Sequence, residues 1–162
     1  MERLPYKAIA AMSENRAIGR DNDLPWDLPE DVRWLMLRTR RALCVMGRKT
    51  FESMPKPMKN RETVIVTRQR DYTPRFEAKV IHELDDCLPL AQGREIFIFG
   101  GEEIYRLAMP KTSEIYLTHV HRTVDGDAFF PPFEASFRAD HTLRQTPEFS
   151  IVHYTRLPVS NA

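Results

Sequence analysis

The chain has 162 residues, 24 basic and 23 acidic side chains, and a net charge of +1. That is the size of one ordinary domain with room for a sizeable core. The balance excludes bulk charge as a route to nucleic acid or an anionic membrane surface, so any anion affinity must come from local arrangement.

No apolar run approaches membrane-spanning length. Ala8–Met12 is too short, and too closely flanked by charge, for a secretion signal. Cys44 and Cys87 are far apart, lack metal-ligand spacing and have no histidine pair beside them. The expectation is a cytoplasmic, metal-free protein.

Tyr6–Met12 reads as a short apolar strand. Ser13–Leu28 follows, with turn chemistry at Asn15, Gly19, Asp21-Asn22-Asp23 and Pro25. A connection of that length in a compact domain is functional or mobile. Pro25 and Pro29 block a helix through its end, and Pro29 suits a first helical turn. Asp27 and Glu30 have the spacing of a capping box. Leu28, Val32, Leu35 and Thr39 then recur at helical spacing as a buried stripe. At roughly 100° per residue, Asp31 falls about 40° from Leu35, on the margin of that inward face.

A carboxylate there is costly unless something satisfies it. One reading is an ordinary acid at a helix N-terminus, favoured by the dipole. The other is a lone acid at the floor of a pocket, with a raised pKa, holding a polar heterocycle.

Leu43–Met46 reads as a fully buried strand, with Cys44 as a packed core thiol. It runs into Gly47-Arg48-Lys49-Thr50 and a short helix through Phe51 and Met54, stopped by Pro55 and Pro57. Thr63–Val66 is another buried strand, ending in Thr67-Arg68-Gln69-Arg70, and Lys79–Ile81 is a shorter one. Leu84–Ala91 reads as a helix with Leu84, Leu88 and Ala91 inward. Glu95–Phe99 is a strong strand ending in Gly100-Gly101, and a helix covers Glu103–Met109 up to Pro110. Met46 and Met109 read as ordinary core.

Glu114–Val120 and Phe149–Leu157 alternate more and read as strands at or near a sheet edge. Asp125-Gly126-Asp127 is a turn between them. Strands alternate with helices, and the central strands are apolar on both faces. That pattern predicts an α/β domain over residues 1–162, with a mostly parallel sheet covered on both sides and a final antiparallel hairpin.

In open α/β sheets, ligands bind beyond the carboxyl ends of the strands. Gly47-Arg48-Lys49-Thr50, Thr67-Arg68 and Gly100-Gly101 all stand at such ends. They offer cations, hydroxyls and bare amides suited to phosphate. Neither glycine-containing stretch is a Walker loop or a GxGxxG fingerprint. Cations stand where an acid would hold a ribose 2′-hydroxyl, which favours a 2′-phosphate.

Ile9-Ala10-Ala11, Ile18-Gly19, Leu24-Pro25-Trp26, Leu28-Pro29-Glu30-Asp31, Met46-Gly47-Arg48-Lys49-Thr50, Phe51-Glu52-Ser53, Gly100-Gly101, Tyr105, Tyr116-Leu117-Thr118 and Gly126-Asp127 complete the pattern. In order and spacing, over nearly the whole chain, it resembles the dihydrofolate reductase family of the bacterial and animal type. The block from Gly19 to Asp31 is specific to that family.

The resemblance implies a mixed eight-stranded sheet flanked by about four helices. It also implies NADPH as cofactor and hydride transfer to C6 of 7,8-dihydrofolate with protonation at N5, in the service of one-carbon metabolism. Asp31 would bind the pterin 2-amino group and N3, supported by Thr118. Leu24 and Trp26 would belong to the catalytic loop. Ile9, Val32, Leu35, Met54 and Met58 would wall the substrate pocket. Arg61 would pair with the carboxylate of the glutamate tail, a bidentate task suited to arginine.

The cofactor would meet Ala11, Ile18, Gly19 and Asn22 along the loop. Gly47, Arg48, Lys49, Thr50, Thr67 and Arg68 would hold its phosphates. Phe99, Gly100, Gly101, Glu102, Ile104 and Tyr105 would complete its site. Asp127 would be the loop's partner on the neighbouring turn. The family also implies a monomer and antifolate inhibitors as further ligands.

Four positions depart from the common family pattern: Leu24 and Leu35, which stand where a methionine and a phenylalanine are familiar, and Glu102 and Asn60. Glu102 stands where a third glycine is common, and with Glu103 it sets two acids beside the expected pyrophosphate. Asn60 precedes Arg61 where glycine is frequent. Two other functions fit parts of the pattern: a related-fold NADPH reductase of a pteridine or riboflavin-pathway pyrimidine, and a non-catalytic NADPH-binding module. The first would not need Leu24 through Asp31, and the second has no use for Asp31 and Arg61 together.

Overall fold

The computed structural model describes residues 3–21 and 26–158. In chain order its strands are β1 (Tyr6–Met12), β2 (Ala17–Gly19), β3 (Leu43–Gly47), β4 (Glu62–Val66), β5 (Lys79–Ile81), β6 (Ile96–Ile98), β7 (Thr112–Val120), β8 (Ala128–Phe129), β9 (Phe137–Gln145) and β10 (Phe149–Arg156). The helices are α1 (Pro29–Arg38), α2 (Arg48–Ser53) and α3 (Glu102–Ala108), with 3-10 segments at Leu84–Leu90 and Met109–Lys111. Asn22 and Leu24, expected at the cofactor and catalytic sites, lie outside the described residues.

Eight strands form one sheet in the order β5-β4-β3-β6-β1-β7-β10-β9. All neighbours from β5 to β7 pair in parallel, and β10 pairs antiparallel with both β7 and β9. β2 and β8 form a separate antiparallel pair. The period of two along each strand divides the core. Ala8, Ala10, Leu43 and Val45 face one cluster, while Ile9, Cys44 and Met46 face the other. Both faces being covered is what gives β3 its unbroken apolar run.

Five expectations are corrected. The helical stripe does not include Val32, which is half exposed. It runs through Leu28, Asp31, Leu35 and Thr39, with Trp34 and Arg38 alongside. Trp34 and the stem of Arg38 have more surface to bury than a valine, so α1 rotates to seat them. Asp31 thereby moves from the margin to the middle of the buried face.

The capping box does not form: Leu28 is the N-cap and no side chain caps the helix. Pro29 opens α1, which leaves Asp27 one residue before the cap position.

Leu84–Leu90 is a 3-10 helix, because Pro89 sits inside it and cannot donate to a regular α-helical ladder. The tighter period of three puts Cys87 inward and leaves Leu88 exposed.

β7 is interior, between β1 and β10, rather than near an edge. Its parallel pairing with β1 covers all of β1.

The edge strand beside β10 is β9, for which the sequence pattern carried no expectation, so the terminal hairpin is β9–β10 and residues 125–127 do not close it. Only Phe137 of β9 is buried, and its charged, exposed remainder carries no apolar alternation. Thr146 closes this hairpin: its N–H donates to Phe149 O and its hydroxyl accepts from Phe149 N–H.

Candidate active site

Asp31 is 7% exposed, the one buried residue of α1 itself. Thr118, equally buried on β7, donates its hydroxyl to Asp31 Oδ1 at 2.6 Å. Burial pushes the Asp31 carboxyl above its ordinary range, and the Thr118 hydrogen bond holds it back. The reading of Asp31 as an ordinary exposed helix-start acid therefore fails on burial, while the pocket reading keeps its raised pKa.

Ala11 lies opposite Thr118 across the β1–β7 ladder, and Ile9 lies opposite Tyr116. Ile9 shares one apolar cluster with Leu35, Met54, Met58 and Phe99. Ala11 joins the adjacent cluster with Trp26, Leu28, Trp34 and Ile151. Trp26 is thus a packing residue, half-buried beside α1. Val32 belongs to neither cluster.

Arg61 is pre-positioned beside the end of α1. Its Nε donates to Lys59 O at 2.8 Å, and its Nη1 donates to Met36 O at 2.7 Å and Thr39 Oγ1 at 2.8 Å. Nη2 takes no part in these three bonds. Asn60 adopts a φ of +63°, a left-handed conformation that asparagine tolerates better than most residues. Its carbonyl accepts from Arg41 N–H at 2.7 Å. The loop therefore keeps a glycine-like backbone without glycine.

The carboxyl ends of β3 and β6 are joined by Gly47 N–H donating to Gly100 O at 2.8 Å. Gly100 has a φ of +112°, and a Cβ there would stand 3.0 Å from the Tyr105 ring. The Gly100–Gly101 peptide is cis. A Cβ on Gly101 would reach 3.5 Å from Thr50 Oγ1. Gly100 is therefore buried against the Tyr105 ring in a backbone conformation that favours glycine, while Gly101 is partly exposed beside Thr50. Gly47 and Gly101 are also the N-caps of α2 and α3, and neither helix has a side-chain cap.

Tyr105 donates its hydroxyl to Ile9 O at 2.6 Å and, with Ile104 and Ile18, packs against the other face of the sheet. Burial pushes the Tyr105 phenol up, so it remains a neutral donor. Arg48 pairs with Glu52 at 2.7 Å, Lys49 is exposed, and Thr67 is buried at the end of β4.

The two acids at the start of α3 are both engaged. Glu102 accepts from Phe129 N–H on β8 at 2.6 Å, and Glu103 pairs with Arg68 at 2.8 Å. β8 in turn pairs with β2. Asp127 brackets the same segment: its Oδ2 accepts from Asp21 N–H at 2.9 Å, and its N–H donates to Gly19 O at 3.0 Å.

One group escaped the sequence reading. Arg38 lies over the Tyr116 ring at 4.5 Å and the Phe97 ring at 5.0 Å, and makes a two-pronged contact with Glu95. It fixes the end of α1 opposite Asp31. Its spacing of seven from Asp31 puts both on one helical face, and that was the available signal.

The fold and site define an α/β protein with a buried acid beside an apolar wall, and with glycines at the carboxyl ends of β3 and β6. Residues 6–156 match the sequence profile described as dihydrofolate reductase. "Dihydrofolate reductase type A13" of Escherichia coli is 41% identical over 130 residues, 79% of this chain and 78% of that protein. The dihydrofolate reductase of Neisseria gonorrhoeae is 38% identical over 159 residues, 93% of this chain and 98% of that one. A solved structure of the Enterococcus faecalis dihydrofolate reductase, complexed with NADP(H) and RAB-propyl, superposes with a TM-score of 0.86 at 29% identity. It covers 96% of this chain and 99% of its own. The chain belongs to the dihydrofolate reductase family.

Proposed function

We propose that this chain reduces 7,8-dihydrofolate to tetrahydrofolate with NADPH, by hydride transfer to C6 and protonation at N5. The observation that carries the proposal is the buried Asp31–Thr118 pair set against the apolar cluster of Ile9, Leu35, Met54, Met58 and Phe99. A flat heterocycle with an apolar face and a polar amidine edge matches that combination.

Asp31 accepts from the 2-amino group and N3 of the pterin, and Thr118 holds the carboxylate in place. Arg61 offers its Nη2 edge to the glutamate carboxylate. Val32, half exposed on α1, would complete the wall. The substrate proton comes from water, and Asp31 biases the ring toward the tautomer and charge that accept it.

The residues on the other side fit NADPH. Gly100 and Gly101 would lie under the pyrophosphate, where the partly exposed Gly101 at the N-cap of α3 offers backbone to it. Arg48, Lys49, Thr50, Thr67 and Arg68 supply donors for the phosphates, including the 2′-phosphate. Ala11, Ile18, Gly19 and Tyr105 would meet the nicotinamide, and Gly47 and Ile104 would complete the cofactor site. NADPH supplies the hydride when bound. Asp127 would act as the loop's partner through its bonds to Asp21 and Gly19, and Glu102 would stand at the cofactor site.

The test is the loss of NADPH absorbance on adding dihydrofolate, in wild type and Asp31→Asn. The variant should lose turnover by about 10²-fold or more while its affinity for NADPH stays nearly unchanged. Surviving turnover would remove Asp31 from its role. Tight NADPH binding without oxidation by dihydrofolate would move the substrate to another pteridine or pyrimidine.

A further inference from the structure

Asp140 and His141 are consecutive on β9, and consecutive residues of a regular strand face opposite sides of the sheet. The ladder is not regular here. His153 of β10 pairs with His141, but the next residue, Tyr154, pairs with Ala139. Asp140 is therefore the extra residue of a β-bulge, a feature that re-aims side chains. One donor atom each from Asp140, His141 and His153 lies within 4.8 Å of the other two.

We propose that Asp140, His141 and His153 form a binding site for one divalent transition-metal ion of the zinc class. The site bridges the edge strand β9 to β10 and is independent of the reductase reading.

His153 is held ready. Its ring stacks on Tyr116 at 4.5 Å with planes 13° apart, and its side chain is 16% exposed. Its Nε2 lies 2.8 Å from Glu114 Oε1. With the Nε2 proton donated to Glu114, the lone pair stands on Nδ1. A carboxylate on the second nitrogen is the arrangement that orients metal-binding histidines.

His141 Nδ1 already stands 3.1 Å from Asp140 Oδ2. Ligands on a tetrahedral zinc ion are roughly 3.3–3.5 Å apart, given bond lengths of about 2.0–2.2 Å. Rotation of the exposed His141 side chain closes the remaining distance.

The donor set decides the ion. Two imidazoles and one carboxylate suit Zn2+, Ni2+ or Cu2+, and leave a fourth position for water. Ca2+ and Mg2+ require more oxygen ligands than these three side chains supply. Arg138 Nη2 is 3.9 Å from Asp140 Oδ1, so the entering ion displaces that cation.

The experiment is calorimetric titration of tag-free protein with ZnCl2, together with thermal unfolding at each metal concentration. Expected are one equivalent of zinc per chain and a Tm that rises with metal until the site saturates. His141→Ala and Asp140→Asn alter exposed positions and should fold normally. Each should bind zinc at least about tenfold more weakly, as should Glu114→Gln through His153. Turnover of His141→Ala with dihydrofolate should equal that of wild type. Absence of saturable binding would overturn the proposal. So would wild-type affinity in His141→Ala, or an equal Tm rise with MgCl2.

Discussion

Thr118 Oγ1 and Asp31 Oδ1 stand 2.6 Å apart although 87 residues separate them in the chain. The bond ties the interior strand β7 to the first turn of α1, and both residues are buried. Thr118→Val keeps the shape and removes the donor. The carboxylate then loses a bond that favoured its charged form, so the Asp31 pKa rises further. The kcat/KM profile against pH should shift toward alkaline values, and stability should fall by about 1–3 kcal/mol. Thr118→Ser should restore both. An unshifted profile in Thr118→Val would separate Asp31 from the observed ionisation.

Asp31 also imposes a stability cost with a definite sign. Its native pKa lies above the unfolded value, so the native state keeps a proton that the unfolded chain releases. Stability therefore falls as pH rises from the ordinary carboxylate range through the raised native value, and the penalty is complete above it. Asp31→Asn lacks that penalty. Its stability relative to wild type should climb through that interval and level off beyond it. Denaturant midpoints across the acid-to-neutral range measure this; an offset independent of pH would contradict it.

Glu95 behaves in the opposite sense. Arg38 beside it, reinforced by Lys7, holds its carboxyl down at about 2, against 4.5 for an ordinary glutamate. Its contribution is fully present above the ordinary value and is lost as pH falls from about 4.5 toward about 2. Glu95→Gln should lower stability near neutrality by roughly 1 kcal/mol, a figure reduced because the side chain is 39% exposed. The gap from wild type should close on acidification, as thermal unfolding at several pH values would show.

Glu103 pairs with Arg68, which is proposed to hold a phosphate of NADPH. Its carboxylate lies 2.8 Å from Arg68, and both side chains are well exposed. An exposed pair of this kind is worth about 0.2–1 kcal/mol. Glu103→Ala should free Arg68 and lower the KM for NADPH by about two- to threefold, with the gain shrinking as salt is added. An unchanged or higher KM would place Arg68 away from the 2′-phosphate.

Gly126 offers a mechanical test of the segment around β2. A Cβ there would fall 2.6 Å from Ala17 Cβ and 2.9 Å from Gly19 O. Gly126→Ala must therefore push β2 and the 125–127 turn apart. Protection of the amides that bond across this junction, Asp21 and Asp127, should fall in hydrogen exchange. Amides in β3 and β4 should not change.

Local pattern was enough to determine much of the protein. The apolar runs of β3 and β6, and Val64–Val66 of β4, could only belong to strands covered on both faces. Pro29 marked the start of α1, and the glycines and cations of Gly47–Thr50, Thr67-Arg68 and Gly100-Gly101 were visible at strand ends. Those features depend on neighbours within a few residues, where backbone sterics and side-chain period act directly. The family pattern spanning Ile9 to Asp127 was legible for the same reason.

Tertiary structure decided the rest. It turned Asp31 into the middle of a buried face, sent Val32 outward, and brought Thr118 to the carboxylate. It engaged Glu102 with Phe129 and Glu103 with Arg68, and it placed the polar β9 at the sheet edge. Each outcome depends on which distant surface an element packs against. Burial and pairing across tens of residues are shared between partners, so neither partner's local sequence carries them alone.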